Sequence, residues 1–230
     1  MQSSFSRRQL FRLAGAGTSA AALAACGGGG DDDADRTVSA DATGTTGCGL
    51  TPALGADFFQ DVDEQRVDLL DDRPGSLLEL NFTVLSAESC LPIGGALLHL
   101  WHVDATGLYS GISGQSEDTT DETFLRTSQV TSGNGGVQFT TIYPGWTPGR
   151  STHLNVRVDI DGVEQISTPL YFPDNITNNI YATDPAYRDR GPKDTSNDED
   201  PQGASLARLR MEVIAANMGH FASHTIGIDS

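Results

Sequence analysis

The segment TTIYPGWTPGRSTHLN, residues 140–155, joins a strand-like run to a turn rich in proline and glycine, followed by an arginine and a histidine. β-Branched and aromatic residues favour strands, whereas proline and glycine interrupt them. The segment therefore predicts a strand, a turn, and then Arg150 and His153 near the start of another strand. A second segment, GLYSG at residues 107–111, places Tyr109 between glycines.

Strand patterns continue on both sides of this segment. The last of them fits a strand or a helix, and the alternating charges at Arg208, Arg210 and Glu212 favour a strand. Turn residues such as Asp161-Gly162 separate the runs. Short strands at this spacing predict an all-β fold with one β-sandwich domain. The predicted strands cover residues 77–85, 96–103, 136–143, 153–160, 163–172 and 206–215.

The pattern of the first 25 residues predicts an export signal. The segment SRRQLF at residues 6–11 has a twin-arginine pattern, and the apolar run at residues 13–25 is too short to span a bilayer. The alternative for this run is a buried helix. LAAC at residues 23–26 resembles a bacterial lipobox, which implies lipidation of Cys26. We expect Tat export and a lipoprotein anchored at Cys26, in the periplasm or on the outer face of a membrane.

Residues 26–47 predict a disordered tether, because their glycine, aspartate and small polar residues bury little apolar surface. The folded domain is then expected at residues 48–230. The net charge of the chain is −17, which argues against nucleic-acid binding, since phosphate contacts need a basic face. The polar run at residues 185–201 predicts a surface loop.

Two cysteines remain for the folded domain. Cys48 and Cys90 form an even pair in a chain expected to reach an oxidising compartment. A disulfide between them is the favoured prediction. The alternative is two free, buried thiols.

Several motifs together carry a family resemblance. WHVDATGLYSG at residues 101–111, FLR at 124–126 and TIYPGW at 141–146 occur in this order, and LYF follows at 170–172. This combination resembles the intradiol ring-cleavage dioxygenases, the catechol and protocatechuate type. The resemblance implies a β-sandwich fold, a catechol-like aromatic substrate, and Fe(III) held by two tyrosines and two histidines.

The resemblance also assigns positions within this chain. Tyr109 matches the first tyrosine ligand, His153 the first histidine ligand, and Arg150 the arginine of the active site. Thr147 stands at the second tyrosine position and Asn155 at the second histidine position. A threonine hydroxyl stays protonated near neutral pH, and an amide oxygen is a weak neutral ligand, so two of the four iron ligands are substituted.

Other residues could alter this metal set. Tyr143, four residues before Thr147, is an alternative source of a phenolate. His102 is expected to be a buried or supporting histidine, and a metal pair with His99 is disfavoured because residues three apart on a strand face opposite sides. His220 and His224 are expected at the surface.

Three functions follow from these patterns. The first is an exported oxidoreductase that cleaves catechol-like aromatics with non-haem iron. The second is a pseudoenzyme of the same fold, anchored by lipid, whose cleft binds an aromatic, a glycan or a partner protein. The third is a structural module at the membrane surface with a vestigial cleft.

Overall fold

A computed structural model describes residues 48–62, 64–203 and 206–229. The predicted signal at residues 1–25 and the tether at residues 26–47 lie outside these residues and stay predictions. No helix among the described residues combines the length and apolar character needed to cross a membrane.

The described residues form eight strands, two α-helices and one short 3-10 helix. The strands are β1 Leu77–Ser86, β2 Leu97–Trp101, β3 Arg126–Val130, β4 Gly136–Ile142, β5 His153–Ile160, β6 Val163–Tyr171, β7 Glu212–Ala216 and β8 Gly219–Ile228. The helices are α1 Asp174–Thr183 and α2 Pro185–Arg188, and the 3-10 helix is Ala207–Leu209.

The strands form two four-stranded sheets with one apolar core. The first sheet has the order β4-β1-β8-β7 and the second the order β3-β2-β5-β6. All neighbours are antiparallel except β1 and β8. Alternate residues of β1 are buried, and they share a core cluster with apolar residues of β2 and β5. Burial of this apolar surface drives the folding of the sandwich, so the all-β prediction is confirmed.

The same alternation decides which residues of β5 leave the core. Leu154, Val156 and Val158 belong to the core cluster. Because successive side chains of a strand point to opposite faces, His153 and Asn155 lie on the outer face of the second sheet. That face carries a smaller apolar cluster that includes Trp101 and Tyr109.

Several elements differ from the sequence prediction. Residues 206–215 were predicted as one strand, but they contain the 3-10 helix and only the first part of β7. Strands β3 and β8 and helix α1 were not predicted at all. The polar run at residues 185–201 begins with α2 and includes the buried residues Thr195, Asn197 and Asp200, so its description as a surface loop was wrong in part.

The predicted covalent link is confirmed. Cys48 and Cys90 form a disulfide with a Cα–Cα distance of 5.0 Å. Thr51, close to Cys48, hydrogen-bonds through its backbone N–H to the carbonyl of Gly227 in β8. The start of the domain is therefore held both to the region after β1 and to the first sheet.

Candidate functional site

The pairing of β5 with its neighbours builds the base of the site. Asn155 lies opposite Trp101 of β2, and His153 lies opposite Tyr171 of β6. Residues directly opposite each other share a face of the sheet, so Asn155 lies with Trp101 and the outer apolar cluster. Tyr171, opposite His153, belongs to the core cluster. The positions of His153 and Asn155 are thus fixed by regular strand register rather than by a loop.

Tyr109 reaches this face from the loop between β2 and β3. Asp104 Oδ1 accepts hydrogen bonds from the backbone N–H groups of Thr106 and Leu108, which shapes the turn before the tyrosine. Gln115 then holds the tyrosine backbone on both sides, accepting from its N–H at 2.8 Å and donating to its carbonyl at 2.7 Å. The tyrosine ring is buried.

A continuous chain of hydrogen bonds connects the candidate ligands. His153 Nδ1 lies 2.7 Å from the carbonyl of Ser151, which can only accept, so Nδ1 carries the hydrogen. The neutral ring then accepts at Nε2 from the hydroxyl of Tyr109, at 3.2 Å. The amide nitrogen of Asn155 donates to the same tyrosine oxygen at 3.0 Å. Each of the three side chains in this series therefore has a protein hydrogen-bond partner.

Burial keeps this chain neutral. Desolvation raises the pKa of Tyr109 to about 12, although the hydrogen bond from Asn155 acts in the opposite direction. Desolvation, together with the positive charge of Arg150, lowers the pKa of His153 to about 4. Both groups are uncharged near neutral pH, as the hydrogen-bond chain requires.

The guanidinium of Arg150 donates hydrogen bonds to three side chains. Its Nε donates to Asp200 at 3.1 Å, Nη1 to Asp57 at 2.9 Å, and Nη2 to the hydroxyl of Tyr171 at 3.1 Å. Asp200 also accepts from the backbone N–H of Ser151 at 2.7 Å. Burial opposes the charge of Arg150, but Tyr171 and Asp200 outweigh it and raise the pKa of the guanidinium. Two carboxylates therefore balance this arginine.

Tyr109, His153 and Arg150 line one cleft of about 760 Å³. Thr147 lines it too, so the structure brings four of the five predicted site residues to the cleft. The fifth, Asn155, is hydrogen-bonded to the Tyr109 hydroxyl. This volume is within the range of cavities that hold small molecules. Asp57, Asp200 and the cleft-lining Arg190 were not identified from sequence, because no local pattern links them to the ligand positions.

Tyr143 does not replace the missing tyrosine. Its ring is fully buried against Phe172, and its hydroxyl lies 2.8 Å from the hydroxyl of Thr177 in α1. The side chain therefore belongs to the packing between β4 and α1. It is absent from the lining of the cleft.

The side chains at the four matched positions do not fit ferric iron. Fe(III) is a hard, highly charged ion that favours anionic oxygen ligands, and the family normally depends on it. The four positions supply one phenol, one imidazole, one amide and one aliphatic hydroxyl. The amide already donates to the phenol. Among the described residues, no group of three or more His, Cys, Asp or Glu side chains could hold a metal ion.

The other histidines lie outside this set. His102 is buried, with ring nitrogens 2.8 Å from the carbonyl of Val103 and 2.8 Å from the hydroxyl of Thr141, as expected of a supporting histidine. His99 is also buried and lies nearest to Asp159 at 3.4 Å. His220 and His224 were expected at the surface, but both are only partly exposed on β8.

Comparisons with known proteins agree with this architecture. The family model Dioxygenase_C, described as dioxygenase, matches residues 51–181. An intradiol ring-cleavage dioxygenase from Tetranychus urticae is similar with a TM-score of 0.74 and 26% identity, covering 79% of this chain and 95% of that one. The dioxygenase domain of a carbohydrate-binding fusion protein from Streptomyces sp. SirexAA-E has a TM-score of 0.56 and 25% identity, covering 78% and 98%.

A third solved structure shares the fold at lower identity. The 3-chlorocatechol 1,2-dioxygenase from Rhodococcus opacus 1CP has a TM-score of 0.56 and 22% identity, covering 80% of this chain and 74% of that one. A search of curated proteins found no match. Since the family model covers more than half of the sequence, the chain belongs to the Dioxygenase_C family, the family of the intradiol ring-cleavage dioxygenases.

Proposed function

We propose that this chain is a non-catalytic member of the family that binds an aromatic ligand in its cleft without ferric iron. The observation that carries this proposal is the hydrogen-bond chain from Asn155 through Tyr109 and His153 to the carbonyl of Ser151. These hydrogen bonds occupy the tyrosine proton and the lone pair of the imidazole. A metal would have to replace that proton and take that lone pair.

Charge supports the same conclusion. Two phenolates offset much of the charge of Fe(III) in the family pattern, but Tyr109 is the only tyrosine among the matched positions, and burial raises its pKa to about 12. Because an uncompensated buried charge is costly, an ion with one phenolate and one imidazole would be held weakly.

The cleft itself is suited to a planar apolar ring. Phe58 is half exposed at the cleft, and its ring centroid lies 5.0 Å from that of Tyr109. Leu108 and Ile112 line the same cavity. Aromatic pairs in offset or tilted arrangements contribute roughly 0.5–1.5 kcal/mol beyond the area that they bury, so these walls can bind a ring without a metal.

Ligand binding by the iron-free protein tests this proposal. The full chain, purified in the presence of EDTA, should bind phenol or catechol in isothermal titration calorimetry with no added iron. Phe58→Ala should weaken the binding about tenfold, because that is the size of one lost aromatic contact. Phe221→Ala, on β8 outside the cleft lining, is the matched control. Binding that appears only after Fe(III) is added would contradict the proposal.

Ring cleavage of a catechol-type aromatic is the second candidate function. One observation favours it: Tyr109 Oη and His153 Nε2 converge to 3.2 Å at the base of the cleft, as two ligands of one ion can. Thr147 and Asn155 count against it. Oxygen consumption with catechol, measured after loading with Fe(III), distinguishes the two candidates.

We also propose that the chain is exported by the Tat route and anchored by a lipid on Cys26. The twin-arginine and lipobox patterns support this localisation. The disulfide between Cys48 and Cys90 is consistent with an oxidising compartment. Changing Cys26→Ser should move the full chain from the membrane fraction to the soluble fraction. A variant that stays with the membranes would contradict the anchor.

A further inference from the structure

A second arginine, Arg190, lines the cleft. Its guanidinium carbon lies 4.5 Å from the centroid of the Trp146 ring, a cation–π arrangement. Gly107 makes this arrangement possible, because a Cβ at that position would lie 2.8 Å from the guanidinium carbon of Arg190 and would also collide with the carbonyl of Trp146. Gly107 has φ +84°, a conformation that side chains rarely adopt.

Arg190 differs from most of the described cations in forming no close ion pair. Across residues 48–62, 64–203 and 206–229, no carboxylate lies within 4.0 Å of its guanidinium. Its neighbour Arg188 approaches Asp189 at 4.0 Å, and Arg150 has two carboxylate partners. Asp104 and Asp194 act on Arg190 electrostatically from beyond ion-pair distance. Its guanidinium is therefore available to an acidic ligand at the cleft.

Arg150 is not available to bind an anionic ligand in this way. Its Nε, Nη1 and Nη2 donate to Asp200, Asp57 and Tyr171, and the two carboxylates balance its charge. An anionic ligand that approaches the cleft meets a negatively charged protein, so it requires a local positive charge. Arg190 supplies that charge at the cleft.

Phe58 and Arg190 line the same cavity. Phe58 is fixed at φ +59°, and its carbonyl accepts a hydrogen bond from Arg126 at 2.8 Å. The half-exposed ring therefore stands on a constrained backbone. Arg190 is oriented by the face of Trp146, so less side-chain freedom is lost when it binds a ligand.

We infer that Arg190 is the specificity-determining residue of the cleft and selects aromatic ligands that carry a carboxylate. The planar fork of a guanidinium donates two parallel hydrogen bonds to a carboxylate, and the ligand ring packs against Phe58. This inference rests on the proposed function, because it assumes that the cleft binds an aromatic. It adds a preference for acids over neutral aromatics of equal size.

A matched pair of ligands tests this preference. We would titrate the full chain, with EDTA present, with 4-hydroxybenzoate and with 4-hydroxybenzamide, which have nearly the same shape and differ in charge. The acid should bind about tenfold more tightly, the effect of one charge-assisted bidentate pair. Arg190→Gln should remove the difference, whereas Arg190→Lys should keep part of it, since it retains the charge without the fork.

Arg188→Gln is the control, because it makes the same change in net charge two residues away and outside the cleft lining. It should leave the acid preference unchanged. If both ligands bind equally to the unmodified chain, or if Arg190→Gln keeps the preference, the assignment of Arg190 is wrong while aromatic binding stands. If neither ligand nor phenol binds, the proposed function fails together with this inference.

Discussion

The double variant Thr147→Tyr with Asn155→His should take up close to one ferric ion per chain and become visibly coloured, whereas the unmodified chain should do neither. Thr147 lines the cleft with Tyr109 and His153, and it is only partly buried, so a phenol at this position has room to enter the cavity. The change at Asn155 removes the donor to Tyr109 and adds a second imidazole.

The physical reason for this large effect is the number and charge of the ligands. Two phenolates and two imidazoles match the preferences of a hard ferric ion, and the second phenolate offsets charge that Tyr109 alone leaves uncompensated. Even changes around a ligand set alter metal affinity or activity 10–100-fold, so restoring two ligands should exceed this range.

Metal analysis and the visible tyrosinate-to-iron absorption measure the outcome. The single variants are the controls, and each should bind less iron than the double variant, because each restores one ligand of the two. Circular dichroism establishes that the variants fold. A folded double variant that stays colourless in excess Fe(III) would show that Thr147 and Asn155 are not the missing ligand positions.

Asp200→Ala should lower the free energy of unfolding by about 3–5 kcal/mol, since it leaves a largely buried guanidinium without its buried counter-ion. The Asp200 side chain is 0% exposed and that of Arg150 is 14% exposed. The change also removes acceptors for the Ser151 N–H and the Tyr171 hydroxyl. The remaining partner, Asp57, is 45% exposed and compensates less.

Urea unfolding measures this loss, with Asp198→Ala as the matched control. Asp198 pairs with Arg210 at 2.9 Å, but its side chain is 83% exposed. Exposed ion pairs contribute about 0–1 kcal/mol, so the control should lose little. If Asp200→Ala costs no more than Asp198→Ala, the cluster around Arg150 does not stabilise the fold as we describe.

The sequence predicts those strands in which apolar and polar residues alternate. β1 and β5 have apolar residues at every second position, and both were predicted with nearly the observed bounds. β3, with sequence RTSQV, has little apolar character, and its pairing with β2 decides its structure. Helix α1 contains three asparagines and two threonines, which are weak helix formers, so packing of Ile180 and Tyr181 stabilises it.

The site was predictable only in part. The motif spacing placed Tyr109, His153 and Arg150 in one cleft, because the family pattern already contains the fold that joins them. The acids that balance Arg150 are 93 residues before it and 50 residues after it, and nothing in the local sequence indicates those contacts. The direction of the Tyr143 side chain likewise depends on the packing of α1 against β4.

The iron content of the unmodified chain tests the central claim most directly. The full chain would be purified from iron-rich medium, loaded with Fe(III), passed through a desalting column and analysed by mass spectrometry of the metal and by visible absorption. We predict far less than one iron per chain and no tyrosinate-to-iron band. Near-stoichiometric iron with that band would contradict the account and identify the cleft as a working metal centre.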